Sequence, residues 1–306
     1  MSSQTQPQPQ PSSTVAAPDA NTKPTAVKFE LSDAGKHGKP LGEGKYIRTA
    51  GCLIIGDEVL NGKTRDSNSN FFAKHMFDLG IELKRIEVIA DDEDEIIEAA
   101  RRMVDKYDFV VTSGGIGPTH DDITYPSIAK AFDMPLTLNT ECASRMQASI
   151  AARGGFQQQT PEQVEARQRM AMFPTGQGAE VLFVQEDKWV PVVRVMGKLC
   201  IFPGIPSLFE QLLIGLTPYL PLPPDSAKPF RHLIFTEMPE SSIAPFLTEL
   251  HNRERKNGVR VGSYPMLYKG VHVSLIGLDE AKIRELGKEV AEKLNGQVVE
   301  AAKQGA

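Results

Sequence analysis

The sequence predicts an α/β protein, with a mostly parallel sheet flanked by helices on both faces, followed by a small α+β domain. Three observations carry this. Strand, loop and helix patterns repeat three times between Thr49 and Phe132, and right-handed crossovers turn such repeats into a parallel sheet. The first strand is a continuous apolar run, as expected where both faces are buried. Beyond a break at Pro218, Pro221, Pro223 and Pro224 the order becomes β-α-β-β-α-β.

The elements follow in order. Residues 1–28 are rich in Gln, Pro, Ser, Thr and Ala, with almost no large apolar side chain, so burial cannot offset the entropy of ordering them. Residues 29–46 are polar and Gly-rich and read as a linker. Disorder is expected through residue 45, and the tail and linker together occupy 1–46. The first domain is expected over 47–225. Its first strand, Thr49 to Ile55, ends at Gly56 and is followed by a polar loop, Asp57 to Gly62. A helix starts around Asp66–Asn68, with Phe71, Phe72, Met76 and Leu79 on one face, and Gly80 stops it. Ile81 to Ile89 is the second strand. Asp91 to Asp94 begin a helix whose Ile96, Ile97, Ala100, Met103 and Val104 recur at helical spacing. Phe109 to Ser113 is the third strand, followed by a Gly-rich loop and a helix from Thr124 to Phe132. Helices over Asn139–Arg153 and Pro161–Met172 come next, then strands over Glu180–Val184, Val190–Met196 and Lys198–Phe202. Pro203-Gly204-Ile205-Pro206 turns into a helix ending at Leu216. The second domain, 226–306, has the element order of a ferredoxin-like unit.

Composition excludes some functions. With 39 acidic and 34 basic side chains the net charge is -5, which argues against general nucleic-acid binding. No apolar run approaches the ~18 residues that span a bilayer, so no membrane is expected. Nothing in the first residues resembles a secretory or mitochondrial leader. Cys52, Cys142 and Cys200 lie far apart with no CxxC pair and read as buried thiols in a reducing, cytoplasmic setting.

The chemistry gathers at strand ends. Gly114, Gly115 and Gly117 follow a buried strand, where glycines let backbone amides approach an anion, phosphate above all. A tight strand-to-helix turn would use the same residues. Asp121 and Asp122 beside that cradle repel a phosphate unless a cation intervenes, and Mg²⁺ held by carboxylates and phosphate oxygens is the common solution. Either carboxylate also fits as an N-cap of the next helix. Asp57, with Glu58, follows the first strand, and Asp91, with Asp92, follows the second, although an acidic helix start needs no ligand. Ligands of such sheets bind at the carboxyl ends of the strands, so Asp57, Asp91 and the loop are expected along one edge. His120 is a loop histidine open to acid–base or purely surface roles. Pro203 and Gly204 are placed to form a wall of the pocket.

Four stretches together resemble a known family: Ala50 to Gly62; Asp66 with Asn68; Thr112-Ser113-Gly114-Gly115-Ile116-Gly117-Pro118-Thr119-His120-Asp121-Asp122-Ile123-Thr124; and Phe202 to Pro206. They look like the molybdopterin-binding (MoaB/Mog-like) superfamily, in the branch of the CinA N-terminal domain and the FAD synthase N-terminal domain. Gly262-Ser263-Tyr264-Pro265 extends the resemblance into the last domain. Ile116 stands where the molybdopterin branch usually has Thr, and the Gly-Pro-Thr-x-Asp-Asp extension belongs to the other branch.

The resemblance implies a three-layer α/β/α MoaB/Mog-like domain that binds the phosphate end of a nucleotide or pterin. In the CinA and FAD synthase branch it implies metal-dependent hydrolysis of FAD or ADP-ribose at the diphosphate. Gly114, Gly115 and Gly117 are then expected to hold a phosphate, with Thr119 and Thr124 donating to it and Pro203 and Gly204 beside it. Asp57, Asp91 and Asp121 are the expected ligands of a divalent metal, Mg²⁺, Mn²⁺ or Co²⁺, and Asp57, Asp121 and Asp122 the catalytic carboxylates. Two alternatives stand: a molybdopterin-binding or adenylyl-transferring protein, with molybdopterin as ligand, and a catalytically silent binding module. No amidase or FAD-synthesising domain is expected, and a homo-oligomer, dimer or trimer, is.

Overall fold

The computed structural model describes residues 27–155 and 159–299. Its first sheet has six strands in the order β2-β1-β3-β8-β7-β6. β1 (Thr49–Ile55), β2 (Glu82–Ile89), β3 (Phe109–Ser113) and β8 (Leu199–Phe202) run parallel, and β7 (Val192–Val195) and β6 (Ala179–Leu182) complete it antiparallel. β1 shows why its sequence is apolar throughout. Ala50, Cys52 and Ile54 point into one core with Phe72, Met76 and Phe209. Leu53 and Ile55 point into the other with Ile96, Met103 and Ile128. Successive side chains of a strand alternate faces, so a strand sandwiched between helix layers must be apolar at every position.

The helices supply those layers. α3 (Asn68–Asp78) and α8 (Pro206–Leu216) cover one face, and α4 (Glu93–Lys106) and α5 (Thr124–Ala131) the other. The chain passes from β1 out to β2, then back across β1 to β3. The order therefore reverses between β1 and β3, and their carboxyl ends open a crevice there. The domain is the three-layer α/β/α arrangement with a mostly parallel sheet that the sequence predicts.

Four features differ from the sequence expectation. A one-turn helix, α1 (Ala34–His37), lies in the stretch read as linker. A second, α2 (Asp57–Leu60), forms where a loop was expected. Beyond β4 (Leu136–Leu138) and α6 (Thr140–Ala152), α7 covers only Pro161–Arg169, and Met172–Pro174 forms β5 against β4. Phe173 ends that helix early, because it is buried against Tyr125 with ring centroids 4.9 Å apart. Finally, the part of the linker within the described residues lies along the first domain. The Phe29 amide donates to the Glu186 carbonyl, and the Arg145 guanidinium to the Glu30 carbonyl. The Tyr219 hydroxyl donates to the Ser32 carbonyl. Residues 1–26 lie outside the described residues.

Arg194 anchors this strap. It is 1% exposed and donates to the Glu180 carboxylate at 2.7 Å and to the carbonyls of Tyr219 and His37. Removing one partner of a buried pair strands the other. Arg194→Met is therefore expected to cost about 3 kcal/mol, the low end for such pairs because Glu180 is partly exposed. Urea unfolding measures it, and a change below about 0.5 kcal/mol, the range of ordinary surface substitutions, would show the network to be dispensable.

The second domain contains β9 (Phe230–Thr236), α9 (Glu240–Glu254), β10 (Arg260–Met266), β11 (Gly270–Gly277), α10 (Glu280–Lys293) and β12 (Gln297–Val299). Its sheet runs β10-β11-β9-β12, antiparallel throughout, the ferredoxin-like order. Ile234, Val273, Ile283 and Val290 are among its core residues. Among the described residues no helix is long and apolar enough to cross a membrane. Cys52, Cys142 and Cys200 are buried free thiols, and burial pushes the latter two up to about 12.

Candidate functional site

Three strand ends meet at the crevice. β1 ends at Ile55, and Gly114 at the end of β3 lies so close that a Cβ there would stand 2.0 Å from the Ile55 carbonyl oxygen. Gly114 has φ +114° and Gly115 φ +64°, a region that glycine enters freely and branched residues avoid. A Cβ on Gly115 would stand 2.4 Å from Thr124 Oγ1 and 3.4 Å from Asp91 Oδ1. Both glycines are thus required by close packing as well as by backbone angle.

The loop beyond them is held by its own side chains. The Asp122 carboxylate accepts from the Gly117 amide at 2.6 Å, the Thr119 amide at 2.8 Å and the Thr119 hydroxyl. The buried Thr124 hydroxyl donates to the Gly114 carbonyl, and its amide to the Gly115 carbonyl, both at 2.9 Å. The Gly114 amide donates to the Phe202 carbonyl. In this conformation the Gly114 and Gly117 amides and the Thr119 and Thr124 hydroxyls, expected to face a phosphate, donate within the protein. The amides of Gly115 and Ile116 enter none of these bonds. α5 begins without a side-chain cap, so Asp122 braces the loop where a helix cap was one expectation.

The acidic residues divide by role. Asp92 caps α4, accepting from the amides of Asp94 and Glu95. Asp91 instead reaches across to the start of α2, just past β1, where the Asp57 amide donates to its Oδ2 at 2.9 Å. Burial pushes the Asp91 carboxyl above its usual value, and the nearby charges of Asp57, Glu58 and Asp121 push the same way. Asp121 and His120 are exposed. Asp57, Asp91 and Asp121 therefore share one electrostatic neighbourhood, as the strand-end argument requires. Among the described residues, however, no three His, Cys, Asp or Glu side chains stand together as a ready metal cage.

The Asp91 shift has a testable sign. A carboxyl raised in the folded state favours folding only while protonated, so this contribution is present below its ordinary pKa of 3.8 and lost as pH rises through the raised value. Asp91→Asn keeps an acceptor for the Asp57 amide and removes the charge. In chelator-treated protein it is expected to raise the melting temperature at pH 7, with the gain shrinking towards pH 3. An equal or lower melting temperature at pH 7 would mean that neither the burial of this charge nor the like charges around it cost stability.

Pro203 and Gly204 follow β8 and lie beside the Gly114 turn. A Cβ on Gly204 would stand 3.3 Å from Gly114 Cα. Two residues outside the expected set complete the wall. Asn68 Nδ2 donates to Ser113 Oγ at 2.8 Å and to the Gly204 carbonyl at 2.9 Å, and Ser113 Oγ donates to the Pro203 carbonyl. Asn68 is 5% exposed, and its Oδ1 has no partner among the described residues. Only their place in the family-like motifs marked Asn68 and Ser113 in the sequence. Asp66, from the same motif, receives the Ser69 amide and hydroxyl at the start of α3.

Comparison with known proteins agrees with this architecture. Residues 51–221, more than half of the chain, match the family described as "Probable molybdopterin binding domain". Residues 228–303 match the family described as "FAD synthase, middle domain". A "Probable FAD synthase" of Caenorhabditis elegans is 33% identical over 233 residues, 72% of this chain and 44% of that protein. The chain thus spans less than half the length of that relative. A protein of Pyrococcus abyssi is 32% identical over 251 residues, 78% of this chain and 93% of its own length. The crystal structure of a CinA protein of unknown function from Thermoplasma acidophilum is 30% identical, with a TM-score of 0.47, covering 56% of this chain and 96% of that one. The chain belongs to the molybdopterin-binding domain family, carrying that domain followed by a domain of the FAD synthase middle-domain family.

Proposed function

We propose that the crevice binds the diphosphate of an ADP-containing nucleotide, of the FAD or ADP-ribose class, and hydrolyses it with a divalent metal. The observation that carries this is the acidic group of Asp57, Asp91 and Asp121 beside the Gly114–Gly115 turn. Carboxylates next to a phosphate cradle repel the ligand unless a cation is shared between them. The residues present fit such a cation. Their donors are carboxylate oxygens, the ligands preferred by Mg²⁺ and Mn²⁺. Mg²⁺ also commonly takes only one or two carboxylates and completes its shell with water and substrate phosphate, so a three-residue cage is not needed. Bound there, the metal supplies charge neutralisation and a more acidic water.

The protein's own groups position the substrate. The Gly115 and Ile116 amides, which take no part in the bonds that hold the loop, would bind phosphate oxygens, while Asp122 and Thr124 keep the turn in shape. Gly204, pinned by Asn68, and Pro203, held by Ser113, would limit where the phosphate sits. Water adds to one phosphorus, the bridging P–O bond breaks, and two monophosphates leave. The test is release of AMP from FAD and from ADP-ribose in the presence of Mg²⁺, Mn²⁺ or Co²⁺. No AMP from either substrate with any of the three metals ends the hydrolase proposal.

The description of the family matched by residues 51–221 favours a second reading, a molybdopterin-binding or adenylyl-transferring protein. A pterin released from protein purified from its native source supports it, and a nucleotide in its place argues against it.

A further inference from the structure

A cleft of about 750 Å³ lies between the two domains, and no residue of the Gly-rich loop lines it. It opens where β1 and β2 begin, whereas the loop lies where they end. Seven residues of β1 separate the two sites, about 20 Å at the usual rise of a strand. The charged groups lining the cleft are Arg48, Arg231, Arg255 and Arg260 against a single carboxylate, Glu82, with His251 beside them. In a chain of net charge -5 this is a local inversion of sign.

That carboxylate is already shared. Glu82 pairs with Lys84 at 2.7 Å and with Arg260 at 3.4 Å. Among the described residues no carboxylate pairs with Arg48, Arg231 or Arg255. Arg231 lies over the Phe77 ring, 4.0 Å from its centroid, and Arg48 over Tyr46 at 5.0 Å. Stacking holds a guanidinium plane in place while leaving its in-plane N–H groups free to donate. Like charges gathered without counter-charges repel one another, and a multiply charged anion relieves that repulsion. The guanidinium fork matches phosphate oxygens two at a time. The volume falls within the roughly 300–1,000 Å³ usual for small-molecule sites.

We infer that this cleft is a second anion site, built for a di- or triphosphate group on a small molecule and contacted from both domains at once. Arg48 comes from the first domain, and Arg231, Arg255 and Arg260 come from the second, so the bound phosphate would bridge them. It goes beyond the proposed hydrolysis and does not depend on it.

The experiment is calorimetric titration of the full chain with inorganic tripolyphosphate and with ATP, in the absence of divalent metal. It is run on the wild type, on the Arg48→Gln/Arg255→Gln double variant and on Gly115→Val. Both arginines are exposed, so the double variant should keep its melting temperature. Its affinity for tripolyphosphate is expected to fall at least tenfold, and Gly115→Val should keep wild-type affinity. Arg255→Lys, which keeps the charge and loses the fork, should fall between. Wild-type affinity in the double variant would overturn the inference, as would binding that Gly115→Val abolishes. Binding of a single-stranded oligonucleotide without measurable affinity for tripolyphosphate or ATP would also overturn it, in favour of a nucleic-acid surface.

Discussion

Gly115→Val is expected to bring nucleotide binding at the loop below detection while the domain stays folded. Residue 115 sits at φ +64°, where a β-branched side chain is strained by about 1–3 kcal/mol. Its Cβ would meet Thr124 Oγ1 at 2.4 Å and approach Asp91 Oδ1 to 3.4 Å. Thr124 is buried and ties the turn together, so it cannot simply swing away. The turn must move, and the Gly115 and Ile116 amides move with it. Both hydrophobic cores lie under the helices and strands, so the loss of stability should stay near the strain itself. Calorimetry with FAD and ADP-ribose reads the binding, and thermal unfolding reads the fold. A folded variant with undiminished affinity would remove the phosphate role from this turn.

Asp121→Asn and Asp122→Asn should fail in different ways. Asp121 is exposed and adds to the negative field around Asp91. Neutralising it weakens the attraction for a cation. A lost electrostatic contact of this kind costs on the order of 10²–10³ in rate, and part of the loss should return at higher metal concentration. Asp122 accepts two amides and a hydroxyl. Asparagine keeps one of the two oxygens and turns an NH₂ group towards donors. Leaving such donors unpaired costs about 1–3 kcal/mol, and the loop loses its brace. Added metal should not rescue that variant. The check is turnover against metal concentration, with thermal unfolding alongside. Equal rescue of both by metal would place Asp122 among the cation's ligands. Wild-type kinetics in both would put neither carboxylate in the active centre.

These two aspartates show how far the sequence reaches. Their spacing after Gly114 marked the loop, because glycine needs and strand ends are local properties. Which carboxylate faces outward depends on where the Gly117 and Thr119 amides turn, and no pattern in the chain encodes that. The apolar runs at β1 and β3 were legible in the same way, since a strand buried on both faces must be apolar at every position. The C-terminal β-α-β-β-α-β order was legible from alternating periods. The three-residue strands β4 and β5 were not, because each lies beside a helical segment and neither is long enough to break the helical spacing around it.

The remainder was decided in space. Asp91 and Asp92 are neighbours in an acidic run, yet one caps α4 and the other crosses to the Asp57 amide. Asn68, Ser113 and Gly204 come from three distant segments and meet only because the sheet order reverses between β1 and β3. Arg48 and Arg255 come from different domains, far apart in the chain, and share a cleft only because the two domains pack together. Secondary structure follows from interactions a few residues apart, so a sequence of glycines, apolar runs and caps states it directly. Hydrogen-bond partners and charge clusters depend on contacts made only when strand ends and domains come together, and those exist only in the folded chain.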